Sequence, residues 1–147
     1  MSMKKGTLYT SYFANIKNGI GIKVSVAAYV PKWLNPQDLD WCLGHIPPPR
    51  DLIIKYKKGD IEFEDYIITY QKYLNSNDVN INQDISYLMK LLNDGNDVTI
   101  YCYEKDYLNC HRNIIGNKMK SLGYKVREIW VYLNYRFARN ANTIMEK

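Results

Sequence analysis

The sequence predicts a single α/β domain, a mainly parallel sheet flanked by helices. Three observations predict it. Runs of β-branched and aromatic residues alternate with stretches of helical periodicity along the chain. Residues 97–131 read as strand, helix and strand with the lengths of a βαβ crossover, which requires parallel strands and a right-handed connection. Residues 20–30 form an extended run whose end is largely apolar, as in an interior strand covered on both faces.

Thr7 to Phe13 (TLYTSYF) has the composition of a first strand, and Asn18-Gly19 marks a turn before the second, Ile20 to Val30. Pro31 ends that run. Residues 31–49 then form a long irregular segment with three consecutive prolines at its end, and loops of this length are often functional. Arg50 to Lys58 has a short amphipathic helical pattern ending at Gly59. Asp60 is placed to cap a second helix with Glu62, Glu64 and Asp65 in its first turn, where the dipole favours acids. Phe63, Ile67, Tyr70 and Leu74 recur at helical spacing. A third helix is expected over 82–93, with Ile85, Leu88, Met89 and Leu92 on one face and Gly95 near its C-cap. Asp97 to Tyr103 is a strand, Cys110 to Leu122 a helix closed by Gly123, and Lys125 to Val131 a strand parallel and adjacent to the first of this unit. The tail from Tyr132 is either a terminal helix or an arm. Neither a repeat nor a linker divides the chain, so one domain is expected over 1–147.

The composition narrows the function classes. At 147 residues and 46% hydrophobic content the chain can bury a core, and its tyrosines, isoleucines and valines are spread throughout, which argues against disorder. The longest apolar stretch, 24–30, is too short to span a bilayer, and the N-terminus lacks a secretory pattern, so a cytoplasmic protein without membrane attachment is expected. Three cysteines cannot all pair within one chain, and reduced thiols are expected. The net charge of +5 favours anionic ligands. Abundant Lys, Asn and Ile suggest an AT-rich genome, such as a low-GC bacterium or its virus.

The chemistry-bearing residues cluster where the 97–131 unit turns from strand to helix. The loop 103–109 follows the carboxyl end of a parallel strand, the edge at which open α/β sheets bind ligands. Asn109 can cap the helix, leaving Cys110, His111 and Arg112 in a first turn whose free N–H groups and positive dipole end suit an anion. Arg112 adds a planar fork for phosphate or carboxylate, and His111 a hydrogen bond or acid–base group. Lys105 is a candidate phosphate contact and Glu104 a candidate acid or base. Glu104, Cys110 and His111 are thus the candidate catalytic residues. The alternative reading is that Arg112 and His111 are simply solvated. Cys110 sits where a thiol pKa is lowered, but Arg112 follows it by two positions rather than the six of a phosphatase loop, so a structural or ligand-lining role is favoured. Cys102 ends a buried strand and reads as packing. Cys42-Leu43-Gly44-His45 with Cys110-His111 has ligand types that zinc accepts, yet one short CxxH is a weak pattern, and no metal or cofactor is expected. Tyr12 and Trp33 are the expected aromatic walls of a ligand site.

In order and separation, Thr10-Ser11-Tyr12-Phe13-Ala14, Pro31-Lys32-Trp33, the Tyr-Lys-Lys-Gly stretch at 56–59, Tyr66 to Tyr70, Cys102-Tyr103-Glu104-Lys105 and Cys110-His111-Arg112 resemble the DUF488 family of bacterial, archaeal and viral domains. The resemblance covers nearly the whole chain. It implies a Rossmann-like fold with Thr10, Ser11, Tyr12, Trp33, Cys102, Glu104, Lys105, Cys110, His111 and Arg112 gathered at the carboxyl edge of the sheet. The chain departs from the family in an Asn-rich insertion around 75–83. It also carries Ala27-Ala28-Tyr29 where members tend to have Ser and Arg, which weighs against retained catalysis.

Three functions follow. The first is binding of an anionic, nucleotide-like ligand without turnover, extending to sequestration of a nucleotide signal of host defence if the genome is viral. The second is an enzyme hydrolysing or processing a nucleotide or nucleobase. The third, ranked last, is a nucleic-acid-binding module using Lys4, Lys5, Arg136 and Arg139.

Overall fold

The structure, a computed structural model, describes residues 4–103, 111–129 and 144–146. Six strands form one sheet: β1 (Leu8–Tyr12), β2 (Ile22–Ser25), β3 (Trp41–Cys42), β4 (Val98–Cys102), β5 (Val126–Ile129) and β6 (Ile144–Glu146). Their spatial order is β3-β2-β4-β1-β5-β6. The first five run parallel, and β6 pairs antiparallel with β5 at the edge. Among the described residues four α-helices accompany them: α1 (Arg50–Lys57), α2 (Phe63–Leu74), α3 (Val79–Asn93) and α4 (His111–Ser121). This is the α/β, Rossmann-like architecture that the sequence predicts.

The pairing register puts Leu8, Val24, Val98, Ile100 and Val126 on one face of the sheet. That face carries the main core, to which α2, α3 and α4 add Tyr70, Leu74, Ile85, Leu88, Leu92, Ile115 and Met119. The opposite face holds Tyr101, covered by Phe13 and Ile16 of a 3-10 segment (Phe13–Asn18) and by Leu34. Phe13 and Tyr101 stack at 6.1 Å between ring centroids.

Handedness explains the division. The chain steps one way along the sheet from β1 to β2 to β3, and the other way from β3 to β4 and from β4 to β5. Right-handed crossovers in opposite directions lie on opposite faces. The chain therefore leaves the neighbouring strands β2 and β4 toward different faces. Such a switch point opens a crevice outside the strands' carboxyl ends.

Several boundaries differ from expectation for identifiable reasons. The strands flanking α4 are parallel but not adjacent, because β1 pairs with both and lies between them. The extended run 20–30 keeps only four residues in the ladder. After Val26 N donates to Tyr101 O (3.0 Å), the chain bends through Ala27–Tyr29. The long segment 31–49 contains a 3-10 turn (Pro36–Asp38) and the two-residue β3. Asp60 does not cap α2; Glu62 holds that position with no side-chain bond. α3 begins three residues before the expected start because Asp78 caps it, accepting from Asn80 N (2.9 Å) and Ile81 N (3.1 Å). Gly123 ends the α4 region as expected, with a φ of 97° that glycine adopts without a Cβ penalty. Asn109, its expected N-cap, lies outside the described residues.

The cap at Asp78 gives a direct test. Asp78→Ala should cost about 1 kcal/mol. A lower urea midpoint with an unchanged slope would be the expected reading.

Candidate functional site

α4 packs against β1, β4 and β5, and this decides what its first turn does. Arg112 points into the protein and is completely buried. Its Nε and Nη2 donate to the two carboxylate oxygens of Glu128 on β5, at 3.0 and 2.8 Å. Its Nη1 donates to Cys102 Sγ at 3.1 Å. Thr10 Oγ1 donates to the same Glu128 Oε1 at 2.5 Å. The guanidinium also lies 5.8 Å from the centre of the Tyr12 ring. Burial raises the Tyr12 pKa, the nearby Arg112 charge working against it. On the other side of β1, Ser11 Oγ accepts from Asn15 Nδ2 at 3.0 Å.

The expected site residues Thr10, Tyr12, Cys102 and Arg112 thus come together at one end of the sheet, with Ser11 buried on the opposite face. They form a buried polar layer there. Cys102 is disulfide-bonded while Cys42 is a free, exposed thiol. The expectation of three reduced thiols fails at Cys102: an odd count stops all three from pairing, but not two. Trp33 is 66% exposed and stands apart from this layer. Glu104, Lys105 and Cys110 lie outside the described residues. Of the CxxH pair, Cys42 is the exposed thiol and His45 Nδ1 sits 3.5 Å from Asp84 Oδ2. Among the described residues no three His, Cys, Asp or Glu side chains gather as a metal site would require.

The open space lies beside the layer, at the switch point. A cleft of about 370 Å³ is bounded by Ala27, Ala28 and Tyr29 after β2 and by Tyr103 after β4. Its far wall is α1, which contributes Arg50, Ile53, Ile54 and Lys57. Tyr56 and Tyr66 also line it, their rings 4.8 Å apart between centroids. Of the expected site residues that are described, His111 alone lines this cleft. Its Nε2 lies 2.7 Å from Val26 O, and since a carbonyl only accepts, that nitrogen carries the proton. The ring meets Tyr70 edge-on at 6.0 Å. Desolvation lowers the His111 pKa to about 4, against the raising effect of the Val26 bond and with a further lowering by Arg112. The imidazole is neutral at pH 7, with its lone pair on Nδ1.

Among the described residues the cleft lining is therefore aromatic and cationic, with no Asp or Glu. Sequence reasoning missed Arg50 and Lys57 although a signal existed. They are seven residues apart around Ile53 and Ile54, which puts all four on one helical face. Tyr29 and Tyr103 carried no comparable signal, because only the sheet order brings the ends of β2 and β4 side by side.

Two measurements probe this arrangement. Glu128→Ala leaves the Arg112 guanidinium buried without its carboxylate, and removal of one member of a buried pair costs about 3–5 kcal/mol. Urea unfolding reads that loss, and Thr10→Val should cost only about 1 kcal/mol. For His111, the unfolded chain takes up a proton near pH 6.5 that the folded protein resists until about pH 4. Its contribution to stability is therefore complete above pH 6.5 and is lost as the pH falls through that window. His111→Gln should flatten the decline in urea midpoint between pH 6.5 and 4.

No curated protein and no solved structure matches the chain. A family model described as the active DUF488-N3 subclade matches residues 9–123. The matched span contains every residue described above as lining the cleft, and it ends before Glu128. By this match, and in agreement with the motif residues around Thr10, Cys102 and His111, the chain belongs to the DUF488-N3a family.

Proposed function

We propose that the protein binds a small anionic, nucleotide-like ligand in the cleft at the β2–β4 switch point. One observation carries the reading: among the described residues, tyrosines and the cations Arg50 and Lys57 line the cleft, and no carboxylate does. Tyrosine rings offer stacking faces to a base, and Arg50 and Lys57 offer charge to phosphate. The His111 ring lines the cleft and is neutral at pH 7, so it neither repels nor traps charge. The anion contact assigned from sequence to Arg112 passes to Arg50 and Lys57 in this reading, since Arg112 is committed to Glu128.

Binding without turnover fits a small protein that sequesters a nucleotide signal of host defence, if the Lys-, Asn- and Ile-rich composition reflects a viral genome. No described helix is long and apolar enough to cross a membrane, and we place the protein in the cytoplasm.

One observation favours turnover as a second reading. The matching family model is described as active, and His111 lines the cleft. Glu104 and Cys110 remain its candidate partners from sequence.

Thermal unfolding against a panel of nucleotides, followed by chromatography of the recovered ligand, separates the two. A raised midpoint with intact ligand is the expected result. A raised midpoint with altered ligand makes the protein an enzyme, and no shift with any nucleotide removes the reading. Tyr103→Ala should weaken binding by about 1–3 kcal/mol, the usual worth of one stacking ring.

A further inference from the structure

The two cations of the cleft are not interchangeable neighbours. Arg50 and Lys57 stand at opposite ends of α1, seven residues apart on one face, so their backbones are separated by roughly 10 Å. Between them that face presents Ile53 and Ile54. Opposite α1 stand Tyr29 and Tyr103, 66% and 51% exposed, at the ends of two different strands. Among the described residues the cleft thus has two positive poles separated by an apolar floor, with aromatic rings across from it.

A ligand with all its charge at one end satisfies one pole and leaves the other against uncharged atoms. We propose that the cleft recognises a single nucleoside unit flanked by phosphoryl groups on both sides, one met by Arg50 and the other by Lys57. The inference rests on the nucleotide reading above and narrows it to a chemical class. A cleft of about 370 Å³ lies in the range of small-molecule sites and suits one such unit better than several. The long stems of both side chains let their charged heads close on phosphates nearer together than the helix positions themselves. Ile53, Ile54 and the tyrosines would enclose the sugar and base. A free nucleoside 3′,5′-bisphosphate and the 5′-phosphorylated end of an oligonucleotide carry the same flanked unit.

Isothermal titration calorimetry decides it, using the 3′,5′-bisphosphates of adenosine, guanosine, cytidine and uridine beside their 5′-monophosphates and 5′-diphosphates. At least one bisphosphate should bind tenfold or more tightly than both the monophosphate and the diphosphate of the same base. The diphosphate is the critical control, because it adds charge without separating it. Arg50→Ala and Lys57→Ala alter exposed side chains. Each should reduce bisphosphate affinity to the level of a monophosphate, and the double variant should bind both ligands more weakly than either single one. A 5′-phosphorylated dinucleotide binding more tightly than the bisphosphate identifies a strand end as the source, and weaker binding identifies the free nucleotide. Diphosphate binding equal to bisphosphate binding overturns the two-pole assignment while leaving nucleotide binding intact. The assignment also falls if either alanine variant retains the preference. Absence of binding by every nucleotide overturns the underlying reading as well.

Discussion

The ion pair between Arg112 and Glu128 joins the first turn of α4 to β5, and Thr10 brings β1 into the same bond network. Both charges are almost wholly withdrawn from water, a condition that costs several kcal/mol per ion unless polar atoms are satisfied. Here the two carboxylate oxygens meet two guanidinium nitrogens, a third nitrogen meets Cys102, and the threonine hydroxyl takes a further lone pair. Three strands and one helix are held by a single planar contact. The geometry favours arginine over lysine, since an ammonium cannot pair in the same bidentate manner.

This constraint shapes what lies beside it. With Arg112 drawn inward, the next residue back, His111, is left at the edge of the cleft and bonded to the carbonyl of Val26, just beyond β2. The first turn of α4 thereby braces the end of β2, where the chain bends away through Ala27–Tyr29. The opening between β2 and β4 follows from opposite crossover directions, and α1 closes its far side. Among the described residues, the cations that face the opening come from α1, a helix remote in sequence from the Cys-His-Arg motif.

The motif and the cleft illustrate two kinds of legibility. Cys110-His111-Arg112 was visible as a helix-start pattern, and α4 does begin at His111, but residue type alone left Arg112 open to solvent or ligand. Its partner Glu128 sits in an ordinary-looking strand, sixteen residues on, and nothing in that strand's pattern marks it as buried. Trp33 attracted attention as a large aromatic in a Pro-rich loop, yet proximity in sequence to a strand end does not place a side chain at that end. Tyr29 and Tyr103 are less conspicuous and closer to the open space.

By itself the sequence determined the alternation of strands and helices, the parallel sheet, the helix faces of α2 and α3, and the end of the sheet at which its motifs collect. These rest on periodicity, turn residues and strand–helix–strand order, all local properties of the chain. Only the tertiary structure decided that β1 lies between β4 and β5, that Arg112 is an internal tie to Glu128, and that Arg50 and Lys57 face the cleft with His111. Each of these depends on contacts between residues far apart in sequence, whose pairing is set by handedness, register and the burial of charge.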